Sequence, residues 1–156
     1  MRLVSVACEM AESDHSLKRV AIRLIKFAAW RWTADAFDSE KAEVKIDAIK
    51  FSVDHIPHTR EALGAAGRDE GLIHEHVVPL GKLAERALKL GSTRPDALRK
   101  LFEDNCRATL ITRKQDKIFN DHTLRDSMPD RWEWGDDPLA RYHVCNLKLL
   151  PPRIGK

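Results

Sequence analysis

Leu72-Ile73-His74-Glu75-His76-Val77-Val78-Pro79 is the stretch on which the reading of this chain turns. It is rich in β-branched residues and closed by proline, so it predicts a short strand. Downstream, Leu80, Leu83, Ala84, Ala87 and Leu88 recur at helical spacing and stop at Gly91. Ser92 or Thr93 caps a further helix, with Pro95 in its first turn and Leu98, Leu101 and Phe102 on its buried face. Arg107–Thr112 then reads as a second strand. Thr112 caps a helix carrying Gln115, Asp116, Phe119 and Asn120. Two short strands, separated by two helices and followed at once by a third, make a strand–strand–helix unit over residues 72–121. A two-strand ribbon needs a helix to cover one face, so the strands are expected to pair antiparallel beneath that last helix.

Upstream, Leu17, Val20, Ala21, Leu24, Phe27 and Ala28 give residues 16–34 an apolar helical face, with Ser13 or Asp14 as cap. The opposite face carries Arg19, Arg23, Lys26 and Trp30. Residues 38–56 fit a helix through Ala42, Ile46, Ile49, Val53 and Ile56, capped by Asp38 or Ser39 and ended by Pro57; Val44, Ile46 and Ala48 also alternate like a strand. Residues 57–71 read as a loop punctuated by Pro57, Gly64, Gly67 and Gly71. A short helix is expected over Asp137–Cys145, with Trp132, Trp134, Arg141 and Tyr142 covering the core.

The chain has 156 residues, which suits one domain: a helical part over 13–56, the strand–strand–helix unit over 72–121 and a C-terminal cover over 122–156. The fold class is mostly α (α+β). A single Tyr argues against a sandwich or barrel with aromatic strand faces. Cys8, Cys106 and Cys145 are distant and odd in number, so they offer neither a disulfide framework nor a CxxC knuckle, and a reducing, cytoplasmic setting is expected. No stretch approaches the ~18 apolar residues of a membrane span, and the apolar run at Leu3–Cys8 is too short for a secretory segment. The net charge of +3 permits nucleic acid as a partner without requiring it. No Walker, dinucleotide-binding or nucleophile-elbow glycine pattern is present.

Glu75-His76-Val77-Val78-Pro79 resembles the opening of the HNH (ββα-metal) nuclease motif, which typically reads Asp-His-apolar-apolar-Pro. The resemblance implies a small two-stranded antiparallel ββα-metal unit inside the helical domain and endonuclease activity, with DNA the first substrate to try. It makes His76 the general base and Glu75, in place of the usual Asp, a residue that places or binds the metal. It makes Asn105 the loop residue before the second strand and Asp116 the metal ligand on the following helix, with Asn120 one turn on as the fallback. The family's final His is missing, no zinc knuckle flanks the motif, and two helices lengthen the insertion between His76 and Asn105. Alternation along a strand would also send Glu75 and His76 to opposite faces unless the strand ends there.

The chemistry is coherent. A His activates water near neutral pH, and carboxylate and amide oxygens suit a divalent Mg²⁺ or Mn²⁺ on the phosphate. Zn²⁺ is the alternative metal: His74 and His76 share one strand face, and His55 and His58 lie upstream. Two basic groups would seat phosphates, Arg19, Arg23, Lys26 and Trp30 on the first helix and Arg113, Lys114 and Lys117 beside Asp116, although solvated helix faces carry the same residues. The other reading is a non-catalytic nucleic-acid- or protein-binding module on the same scaffold, with or without a structural zinc. Trp-rich helix faces leave self-association open.

Overall fold

Alanine and cysteine at helical spacing let the first two helices approach closely. In the computed structural model, which describes residues 1–35, 51–66 and 71–153, α1 (Arg2–Ser13) packs Val4, Ala7 and Cys8 against Ala21, Ile25 and Ala29 of α2 (Lys18–Asp35), with a 3-10 turn His15–Leu17 between them. The sequence reading gave α1 no helix. It also put Val20 and Phe27 of α2 inside, whereas they stand 43% and 56% exposed and the Ala21–Ile25–Ala29 row is buried. The physical reason is α1 itself: small side chains on both helices select the row that permits closest contact, at the expense of the bulkier one.

Residues 51–56 form a turn in which Ser52 O accepts from the His55 and Ile56 amides, so the helix expected over 38–56 does not reach them. The rest of that expectation, up to residue 50, lies outside the described residues. The loop expected over 57–71 contains β1 (His58–Thr59) and α3 (Arg60–Ala65). Thr59 Oγ1 accepts from the Ala62 amide as an N-cap, and Ala62 and Ala65 are buried.

Next come β2 (Leu72–His76), α4 (Leu80–Leu90), α5 (Pro95–Asn105), β3 (Ala108–Thr112) and α6 (Arg113–Asp121). Thr112 and Gln115 form a reciprocal capping box at the start of α6. The chain closes with α7 (Ala140–Val144), shorter than the expected Asp137–Cys145, and β4 (Leu149–Leu150).

The fold is therefore α+β. β2 and β3 pair antiparallel from Leu72↔Thr112 to His76↔Ala108, as expected. They belong to a four-stranded mixed sheet of order β2-β3-β1-β4, where only two strands were anticipated. β1 runs parallel to β3 through His58↔Leu110 and antiparallel to β4. Two-residue strands carry no alternation of their own, and their pairing is set by partners about fifty and ninety residues away in the chain.

Three clusters of buried residues result. α1, α2, α4 and α5 enclose an apolar helical core around Ile25, Leu83, Leu98 and Phe102. α6 and α7 cover one face of the β2–β3 ribbon with Phe119, Tyr142, Leu124 and Cys145 against Val77 and Ile111. On the other face Leu110 packs with Val53, Ile56 and Ala62. Among the described residues, no helix is long and apolar enough to cross a membrane.

Candidate functional site

The register decides which of the sequence-predicted residues can meet. Strand pairing continues through His76↔Ala108, so alternation is not broken before His76. Ile73 and Glu75 lie on the face that α6 and α7 cover, where Ile73 packs beside Ile111 and Phe119. His74 and His76 occupy the opposite face, with ring centroids 5.3 Å apart. His76 is buried there, its Nε2 3.4 Å from Thr33 Oγ1 of α2, and that hydroxyl donates to Trp30 O at 2.8 Å. Glu75 and His76 are thus adjacent in sequence and separated by the thickness of the sheet. The joint placement of acid and base in one site is corrected by this geometry.

On the α6 side, Glu75 meets Arg141, a residue assigned by sequence to a general C-terminal cover. Arg141 is fully buried. Its Nη2 donates to the Glu75 carboxylate and to His76 O. Nε donates to Val77 O at 2.9 Å, and Nη1 donates to Leu124 O at 2.9 Å and Arg125 O at 3.2 Å. The guanidinium carbon lies 4.6 Å from the Phe119 ring centroid. Burial raises the Glu75 pKa above its ordinary value against the pull of Arg141, and the charge of Asp116 pushes the same way as burial. Asp116 lies in the first turn of α6. The Thr109 and Tyr142 hydroxyls bond at 2.7 Å, and burial pushes the phenol up.

The remaining expected residues disperse. Asn105 is buried at the end of α5 and donates to Leu101 O at 3.0 Å, so its amide closes its own helix. It also borders a cleft of about 620 Å³ shared with Arg86, Lys100, Arg107 and Trp134. Asn120 is exposed. The four-imidazole zinc arrangement does not form: His55 is exposed and bonds Ser52 Oγ at 3.1 Å, while buried His58 bonds Ile56 O through Nδ1 at 2.9 Å. Among the described residues, no three His, Cys, Asp or Glu side chains group to hold a metal ion.

A divalent ion does not fit the donors at Glu75. The carboxylate is already ion-paired with a buried guanidinium, so a metal there would face an adjacent positive charge in a medium of low polarity.

The chain matches no family model, no curated protein and no solved structure in comparisons with all three.

The two basic groups lie at the surface. Arg19, Arg23 and Lys26 are exposed on α2, and Arg113, Lys114 and Lys117 are exposed on α6. None of the six joins an ion pair among the described residues. Trp30 is half-buried, with Phe27 at a centroid distance of 6.1 Å.

Sequence reasoning missed Arg141 because a buried cation leaves no periodic signature. The one available signal was indirect: Glu75 alternates onto a face that also holds Ile73 and Val77, and a carboxylate on a buried face requires a counter-charge.

Proposed function

We propose that this chain is a non-catalytic nucleic-acid-binding module on an HNH-like ββα scaffold. The observation that carries the non-catalytic part is the divergence of Glu75 and His76 to opposite faces of β2, with Glu75 held by Arg141. A general base must stand within hydrogen-bond reach of the water it activates, and that water must lie near the metal-bound phosphate. Here the imidazole packs on Thr33 and the carboxylate packs under α6. The nucleic-acid part is supported by the exposed cations of α2 and α6 (Arg19, Arg23, Lys26; Arg113, Lys114, Lys117), which form no ion pair among the described residues and can each neutralise a phosphate.

Metal-dependent endonuclease action remains the second reading, favoured by one observation: Asp116 stands in the first turn of α6, a helix that contacts β2, the strand that carries Glu75.

Fluorescence anisotropy with labelled DNA and RNA across a salt series tests the first reading. Binding should weaken with salt, and each triple substitution to Ala should reduce the logarithmic slope by ~0.9 per lost phosphate contact. A slope untouched by both triple variants rejects these surfaces. A plasmid-nicking time course with Mg²⁺ or Mn²⁺ should show no cleavage. Cleavage abolished by His76→Ala and by Asp116→Ala would establish the second reading in place of the first.

A further inference from the structure

We infer that the Arg141 guanidinium is the resident cation of the ribbon–helix unit: a covalently attached positive charge that gathers the oxygens of β2 and of the loop after α6, and that makes this unit independent of metal. The inference does not rest on the nucleic-acid reading, since it concerns what holds the unit together and not what binds its surface.

The donor and acceptor inventory is complete. A guanidinium has five N–H donors. Arg141 has five oxygen partners: the Glu75 carboxylate and the carbonyls of His76, Val77, Leu124 and Arg125. These oxygens come from two places, the end of β2 and the loop that follows α6. Nothing else among the described residues joins those two segments through buried side-chain hydrogen bonds. Hard oxygen donors converging from separate chain segments are also what a bound divalent cation gathers around itself. The guanidinium differs in geometry, being planar and forked, and the Phe119 ring 4.6 Å from its central carbon covers one of its faces.

This arrangement also explains why a carboxylate is tolerated at position 75. With Arg141 in place, Glu75 supplies the single formal negative charge in direct contact with it, and the four carbonyls satisfy the remaining donors. Without Arg141, four carbonyl oxygens and one carboxylate would converge on an empty volume with no donor, which is strongly unfavourable in a buried site.

Thermal melts of the full chain test this. Wild-type protein should melt at the same temperature with chelator, Mg²⁺ or Mn²⁺. Arg141→Ala should melt lower by roughly 10 °C. Millimolar methylguanidinium should restore at least half of that loss, while sodium chloride of equal ionic strength restores none. The same rescue should vanish in the Glu75→Gln, Arg141→Ala double variant, because the carboxylate that recruits the cation is gone. Arg141→Lys, which keeps the charge with three donors, should fall between wild type and Arg141→Met. Three results would each overturn the inference: no methylguanidinium rescue, an Arg141→Met protein as stable as wild type, or stoichiometric Mn²⁺ binding by wild type that Glu75→Gln removes. If Arg141→Ala does not fold, the wild-type metal titration and the Lys–Met comparison still decide it.

Discussion

The helical core and the ribbon core of this protein are stabilised by different physics. Around α1, α2, α4 and α5 the buried side chains include Val4, Ala7, Cys8, Ala21, Ile25, Ala29, Leu83, Leu98 and Phe102, and the polar groups buried among these helices are the thiols together with Thr33 of α2 and Asn105 of α5, whose side chains donate to carbonyls of their own helices. Those thiols act as small apolar fillers that also find carbonyls, Cys8 Sγ with Ala87 O and Cys106 Sγ with Ala29 O. Burial pushes the Cys8 thiol up to about 11 and that of Cys106 up to about 12, so neither presents a thiolate at neutral pH. The ribbon core instead contains Arg141, the Thr109–Tyr142 hydroxyl pair and, on the opposite side of the sheet's edge, Gln115 with Thr59 and Glu61. Non-directional burial tolerates changes that conserve volume, whereas directional networks tolerate only changes that conserve donors and acceptors.

The largest effect expected inside the helical core comes from Phe102→Ala. Phe102 is fully buried and meets Trp32 edge-on at 5.8 Å. The substitution should cost ~3–5 kcal/mol by urea denaturation, and Phe102→Leu should recover much of it. A Leu variant as damaged as the Ala variant would mean that the helical core is as shape-specific as the ribbon core, and the contrast between the two would collapse.

A smaller effect is expected in the ribbon core from Tyr142→Phe. It removes the partner of the buried Thr109 hydroxyl and should cost about 1–3 kcal/mol. The double variant Thr109→Val, Tyr142→Phe should be less damaged than the sum of the two single variants, because it leaves no buried hydroxyl without a partner. Strict additivity in the same denaturation experiment would place that pair among ordinary packing residues.

The same contrast governs what could be read from the sequence. α2, α4, α5 and α6 were legible because apolar spacing and end signals agree: Gly91 after α4, Pro95 at the start of α5, the Thr112–Gln115 box at α6. The β2–β3 pairing was legible from β-branched content and the closing Pro79. The phase of α2 was not, because it depends on α1, whose buried face is Val4, Ala7 and Cys8 and whose start at Met1 carries no side-chain cap to announce it. β1 and β4 were not, because two residues cannot display a period. In the candidate site, the pairing of Glu75 with His76 yielded to the pleat of β2. Arg141 was out of reach because its role depends on three segments meeting: β2, the loop after α6, and α7.

The smallest effect expected tests the comparison from its polar side, on a long-range polar tie of the helical half that lies at the surface. Glu12, at the end of α1, accepts from the Ser92 amide at 2.7 Å and from Ser92 Oγ at 2.6 Å. Those two bonds hold its pKa below the ordinary 4.5. Gly91 beside it has φ +80°, and a Cβ there would come within 2.8 Å of Glu12 Oε1, so the turn after α4 is shaped to admit the carboxylate. A carboxyl whose folded-state pKa is depressed contributes stability above its unfolded pKa and loses it as pH falls through the folded value. The melting-temperature difference between wild type and Glu12→Gln should therefore stay constant from neutral pH down to the unfolded value near 4.5, then close as the pH falls further. Glutamine keeps an oxygen that accepts from Ser92, so the difference isolates the charge. High salt should shrink it as well, because the carboxylate is exposed and screened, whereas the buried Arg141–Glu75 contact should be far less sensitive to salt. A Glu12→Gln difference that persists unchanged to strongly acidic pH would assign the tie to shape and packing, in keeping with the rest of the helical core.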